Sequence, residues 1–193
     1  MQAKPEGRSR LAVSLFICVT ISRNRHSFER LDGMSTAKKA SLAEALQQTR
    51  PFTDITQEAY LSILRTASEI SHLGDHMLKE YGVTQAQYNV LRILRGAGCK
   101  GLCRNEIAER LVTAMPDVSR LLDRMEEAGW ISRERGQKDR RQVSTFITPD
   151  GLALLKELDE PVKNAHRAQF KGMEESQLRE LIELLTEVRK RIP

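Results

Sequence analysis

After position 53 the apolar residues of this chain recur at three- and four-residue steps, the spacing of a helix with one buried face. Ile55, Ala59, Ile63, Ala67, Ile70, Leu73, Met77 and Leu78 form one stripe, which predicts a long helix over 54–81 with Thr53 or Asp54 as its cap. Gly82 ends it. Thr84-x-x-Gln87 has the spacing of a capping box and opens a second helix through Tyr88, Leu91 and Leu94. A shorter helix around 105–112 carries Ile107, Ala108 and Leu111 on one face. A tight connection at 112–115 leads to a helix over about 116–128, with Val118, Leu121, Leu122 and Met125 as its buried stripe and Gly129 as its stop.

The period then changes. Residues 131–135 and 142–148 read as two short extended runs around the polar tip Gly136-Gln137-Lys138-Asp139, the chain's one convincing β-hairpin. Thr148-Pro149-Asp150 starts another long helix through Leu152, Leu155 and Leu158, which Pro161 should kink or restart. A last helix over 176–192 aligns Leu178, Leu181, Ile182, Leu185, Val188 and Ile192. The expected fold is mainly α with a small β-hairpin wing: a winged helix-turn-helix lobe at about 84–148, held between dimerisation helices at about 54–81 and 150–192.

One stretch suggests a different protein. Gly96-Ala97-Gly98-Cys99-Lys100-Gly101 matches the G-x-G-x-x-G spacing of a dinucleotide-binding turn, and Asp117 lies about where a ribose-binding carboxylate belongs. Such a turn must follow a buried parallel strand, whereas a capped helix containing Arg92 precedes Gly96. The glycines therefore read as a helix stop and a flexible link, and no cofactor is expected.

Composition narrows the function. The net charge is +5, of which residues 1–33 supply +3. Any nucleic-acid footprint must then come from local clustering. Cys18, Cys99 and Cys103 are too few for a disulfide scaffold and lack the spacing of a metal or redox pair, so idle thiols in a reducing cytoplasm are expected. The apolar run 11–21 is too short to span a bilayer, and Arg23 and Arg25 follow it. Residues 1–33 read as a disordered extension or as sequence upstream of a start at Met34, with 34–53 as a lead-in.

Two short helices followed by a basic hairpin form a DNA-reading constellation. The second helix of such a pair enters the major groove, where Ala114, Pro116, Asp117, Ser119, Arg120, Asp123 and Arg124 would face outward. Arg120 and Arg124, four apart, can fork onto a guanine edge or neutralise a phosphate. The competing reading is a solvated helix on which they pair with Asp117, Asp123 and Glu127. The hairpin favours DNA: Arg133, Arg135, Lys138, Arg140 and Arg141 crowd one narrow ribbon against Glu134 and Asp139, a charge pattern suited to the minor groove. A terminal helix with six apolar residues in line also needs cover that the lobe cannot supply, which points to a second subunit.

The segment DVSRLLDRMEEAGWISRERGQKDRRQVSTFITPDGLALL resembles the recognition helix, wing and following helix of the MarR family of bacterial transcriptional regulators, and the likeness extends over about 54–192. It implies a homodimer with interleaved terminal helices, one winged lobe per half-site of a pseudo-palindromic operator on double-stranded DNA. It implies that Arg141 reaches into the minor groove with Asp139 holding its guanidinium, and that Ser119 and Arg120 contact DNA. It also implies repression relieved by a small aromatic or anionic effector, for which Arg65, His72, His76, Tyr81 and Tyr88 lie in the right part of the chain. Pro116 and Asp117 depart from the small polar residues common at those positions, and the long first helix lacks the cysteine of oxidant-sensing members.

Two rivals stand beside this reading. One is an enzyme that uses a winged segment only to dimerise, but no catalytic domain or metal cluster remains in the residues available. The other is a protein-binding relative without DNA contact, against which the basic wing argues.

Overall fold

The computed structural model describes residues 41–135 and 143–192, so the expectations for 1–33 and for the wing tip lie outside the described residues. The chain divides into two compact units, residues 1–62 and 63–193. Within the first, helix α1 (Leu42–Ala45) is a single turn closed by a Ser41–Glu44 capping box. The long helix α2 (Ile55–Lys79) begins in this unit and ends in the second. Asp54 is its cap: the carboxylate accepts from the Thr56 amide at 2.9 Å and from the Thr56 hydroxyl at 2.7 Å. These bonds, the hydroxyl's first, hold the Asp54 carboxyl below its ordinary range.

In the second unit α3 (Gln85–Ala97) opens with the expected box, the Thr84 amide donating to Gln87 at 2.9 Å and the Gln87 amide to the Thr84 hydroxyl at 3.3 Å. Gly98 ends α3 at φ +60° and leads into one 3₁₀ turn, Gly98–Lys100. The glycine-rich stretch is a helix exit, and among the described residues no strand precedes it. Gly101, at φ +59°, then brings Leu102 alongside the hairpin, where it exchanges backbone hydrogen bonds of 3.0 and 2.8 Å with Thr145. Periodicity gave no sign of this third rung. A side chain at 101 would lie 2.6 Å from the Phe146 ring, so the link is a tight seam instead of a flexible one.

Helix α4 (Arg104–Arg110) is shorter than expected, because Leu111 already turns extended to tuck its half-buried side chain against the core. Helix α5 (Val118–Glu127) starts later than the expected 116. Asp117 is its cap, accepting from the Arg120 amide at 3.0 Å, and leaves Pro116 and Ala114 outside the helix. Strands β1 (Ile131–Arg135) and β2 (Val143–Ile147) pair antiparallel, with Ile131 opposite Ile147 and Arg135 opposite Val143. Helix α6 (Pro149–Gln169) runs unbroken through Pro161, so that proline does not restart it; Leu158 and Val162 are buried on either side and hold the segment in place. Helix α7 (Glu175–Lys190) stops short of Ile192.

The core lies between α3, α4, α5, β1 and α6. Val90, Leu91, Leu94, Ile107, Met125, Leu155 and Leu158 have almost no exposed surface. Each of these side chains contributes on the order of 1.5–3 kcal/mol through burial. The outer helices differ. Among the described residues α2 buries only Leu78, and α7 buries none. Large apolar side chains stand in solvent along both, with Leu73 48% and Ile182 61% exposed.

Candidate nucleic-acid interface

Helix α5 buries Val118, Leu121, Leu122 and Met125, a spacing of three, four and seven residues that seals one side against the core. The opposite side is exposed and carries two edges. Arg120 and Arg124 lie together on one, four residues apart; Ser119, Asp123 and Glu126 lie together on the other. Asp117 bridges cap and site. Besides capping, its Oδ2 approaches the Arg120 Nε at 3.5 Å, an exposed contact that biases the guanidinium and adds little stability. Arg124 makes no ion pair among the described residues. The reading that all these arginines are spent on neighbouring acids therefore fails for Arg124 and is weak for Arg120.

Beside α5 the hairpin stands on a fixed base. The Thr148 hydroxyl donates to the Gly129 carbonyl at 2.7 Å and accepts from the Gly151 amide at 3.1 Å, and the Thr148 amide donates to the Trp130 carbonyl at 3.0 Å. Gly151 packs so closely that a Cβ there would meet that carbonyl at 2.3 Å. One threonine thus ties the end of α5, the root of the wing and the start of α6.

Arg133 requires a correction. It was expected among the DNA-binding cations of the wing, but its guanidinium turns in to α5. Nε donates to Glu126 at 2.8 Å, a terminal nitrogen lies 2.7 Å from Asp123, and its backbone amide donates to Glu126 at 3.1 Å. The side chain is only 28% exposed, and the Glu126 hydrogen bond, then that of Asp123, raises its already high pKa. Strand alternation explains the direction: 131 and 133 share a face, and Ile131 is buried. Arg135, next on that face, is exposed at the far end of β1. Lys138, Asp139, Arg140 and Arg141 lie outside the described residues.

A groove of about 400 Å³ separates the start of α4, the exposed edge of α5 and the root of the wing, lined by Arg104, Asn105, Ser119, Arg133 and Thr145 among others. Arg104 and Asn105 escaped the sequence reading. Their place at the start of the first helix of the pair was the available signal, since that helix crosses the DNA backbone in this architecture.

The expected effector residues do not converge. Arg65 pairs with Glu69 at 2.6 Å, and His72 and His76 are exposed. Tyr88 is a core residue with the Arg92 guanidinium 5.7 Å from its ring centre, and burial raises the hydroxyl pKa of both Tyr88 and Tyr81. None of the five lines the larger cavity of about 770 Å³, which is formed by Ser71, Asp75, Lys79, Thr84, Asn89, Met115 and their neighbours. The apolar stripe of α2 does not encode which of its exposed turns faces a hollow. Among the described residues no cluster of His, Cys, Asp and Glu could hold a metal ion, and no helix is long and apolar enough to cross a membrane.

Comparison with known proteins places this geometry. A profile of the MarR family matches residues 83–143, from the start of α3 to the start of β2. The HTH-type transcriptional repressor YetL of Bacillus subtilis is 26% identical over 100 residues, which are 52% of this chain and 60% of that protein. The crystal structure of a MarR transcription factor from Planctomyces limnophilus is 38% identical and superposes with a TM-score of 0.56, over 70% of this chain and 98% of the other. A mutant of MarR from E. coli, crystallised with operator DNA, is 25% identical with a TM-score of 0.62, over 70% of this chain and 99% of the other.

Proposed function

The chain belongs to the MarR family, a DNA-binding transcriptional regulator and not an enzyme, and from that premise we propose that it acts as a homodimeric repressor on a pseudo-palindromic operator. The carrying observation is α5, sealed on one side into the core and presenting Arg120, Arg124 and Ser119 on the other, beside a ribbon rooted at the same end. An exposed helix of ten residues with a cationic edge fits the major groove. In this reading Ser119, Arg120 and Arg124 meet base edges and phosphates. Arg135, Lys138, Arg140 and Arg141 supply the wing's charge to the neighbouring minor groove, with Asp139 orienting Arg141. Arg104 and Asn105 add backbone contacts where α4 begins.

Dimerisation accounts for the uncovered apolar rows of α2 and α7, and it sets two lobes about 34 Å apart, one helical turn of DNA. YetL is named a repressor, which favours repression here. The effector, a small aromatic or anionic molecule, fits the cavity of about 770 Å³ between the end of α2 and the lobe, where Lys79 offers a cation. A duplex-binding regulator of this kind works in the cytoplasm.

Titration of a fluorescent duplex from upstream of the protein's own gene, over a range of salt, tests the reading. Affinity should fall steeply as salt rises. Arg120→Ala should cost about 1–3 kcal/mol, confined to one base position if the arginine reads guanine and spread evenly over sequences if it holds phosphate. Equal affinity of wild type for any duplex, or none at low salt, overturns it.

A further inference from the structure

Resting on that DNA-binding reading, we propose that Arg133 is a positioning residue: it clamps the wing to the recognition helix through Glu126 and Asp123 and does not itself contact DNA.

Three features carry this. First, one edge of its fork is engaged, Nε on Glu126 at 2.8 Å and the adjacent terminal nitrogen on both Glu126 and Asp123. Glu126 also accepts from the Arg133 backbone amide at 3.1 Å, so one carboxylate holds both the strand and the side chain. Second, the strand alone does not fix the wing's angle. The ribbon has five paired positions; Thr148 holds only its root, and the Leu102–Thr145 rung ties the opposite strand, directly across from Arg133. The clamp and the rung thus grip the same level of the hairpin from its two edges. Third, the acids are otherwise out of place. Asp123 and Glu126 lie on the edge of α5 that carries Ser119, facing the polyanion, where uncompensated carboxylates repel phosphate. Arg133 offsets one of their two charges and uses both carboxylates to fix the angle between α5 and β1.

The angle matters because two elements must enter two neighbouring grooves at once. Binding gains from the second element only when the first is docked in register, and a loose wing loses that advantage while keeping its charge. Specific affinity should therefore depend on Arg133 much more than non-specific affinity does.

Glu126→Gln supplies the sharpest test, because simple electrostatics and the clamp predict opposite signs. Removing an acid beside DNA should tighten binding if Glu126 is only a nearby charge; it should weaken specific binding about tenfold if it holds the wing. Arg133→Ala should give a similar loss on the upstream duplex, with less than about threefold change on a scrambled duplex of equal length. Its salt dependence should stay parallel to wild type, since no phosphate contact is lost; a slope shallower by about one ion indicates direct contact and overturns the proposal. Arg133→Lys keeps the charge but not the fork and should recover only part of the loss. Thermal unfolding checks that each variant is folded. Should Arg133→Ala not fold, Glu126→Gln and Arg133→Lys decide by the same signs. Wild type that ignores the upstream duplex removes the function and the clamp together, whereas wild-type binding with unaltered variants removes the clamp alone.

Discussion

Arg95 and Asp159 form the best-formed ion pair between distant parts of the chain, the Arg95 fork bonding both carboxylate oxygens at 2.9–3.0 Å and joining α3 to α6. The Arg95 hydrogen bond, reinforced by its charge, holds the Asp159 carboxyl below its ordinary value of 3.8. A carboxylate whose pKa is lowered by folding stabilises the fold at neutral pH. That contribution fades as pH drops from 3.8 through the lowered value. Arg95 is shifted upward and stays charged throughout. Both side chains are more than one third exposed, which limits the pair to under about 1 kcal/mol. Unfolding midpoints measured from pH 6 down to pH 2 should therefore show a small acid-linked decline that Asp159→Asn removes. A variant curve parallel to wild type would mean the pair contributes nothing.

At the level of elements, caps and stripes were legible and contacts between elements were not. Thr84 with Gln87, the buried row of α5 and the existence of the hairpin follow from spacing alone, because local hydrogen bonds and one-sided burial impose them. Two failures share a cause. The Leu102 rung and the inward turn of Arg133 depend on what another part of the chain presents at that level, and periodicity does not encode it. Even so, Arg133 had a signal in its parity with Ile131 along the strand; the surrounding basic residues obscured it. The expected effector residues lie outside the larger cavity for a different reason, since a histidine on an exposed helix turn looks the same whether or not a hollow lies beside it. Thr148 permits a test at this scale. Thr148→Ala removes the cap of α6 and the bond to Gly129 together, and should cost about 1–2 kcal/mol in denaturant unfolding. A cost near zero would show that the backbone bond to Trp130 suffices by itself.

For the whole molecule, the distribution of burial is more informative than the total charge. The lobe from α3 to α6 closes its own core, while α2 and α7 leave leucines, isoleucines and a valine in water. The homodimer proposed above would cover those apolar rows. Ile182→Glu places a charge in that row and should shift the protein from dimer to monomer in sedimentation at micromolar concentration, with loss of operator binding in step. An unchanged dimer would place the interface elsewhere. The lobe itself should keep its far-ultraviolet dichroism, because no core residue lies on α7.

The Thr148 knot has a mechanical meaning. It joins the root of the wing to the start of the long α6 rod through one threonine and the close contact at Gly151. A five-residue strand is a lever arm of about 16 Å, so tilting the rod by roughly ten degrees would swing the free end by about 3 Å. That travel is comparable to the span of a hydrogen bond, so under the proposed mode of binding a modest twist far from the duplex would suffice to break the wing's contacts.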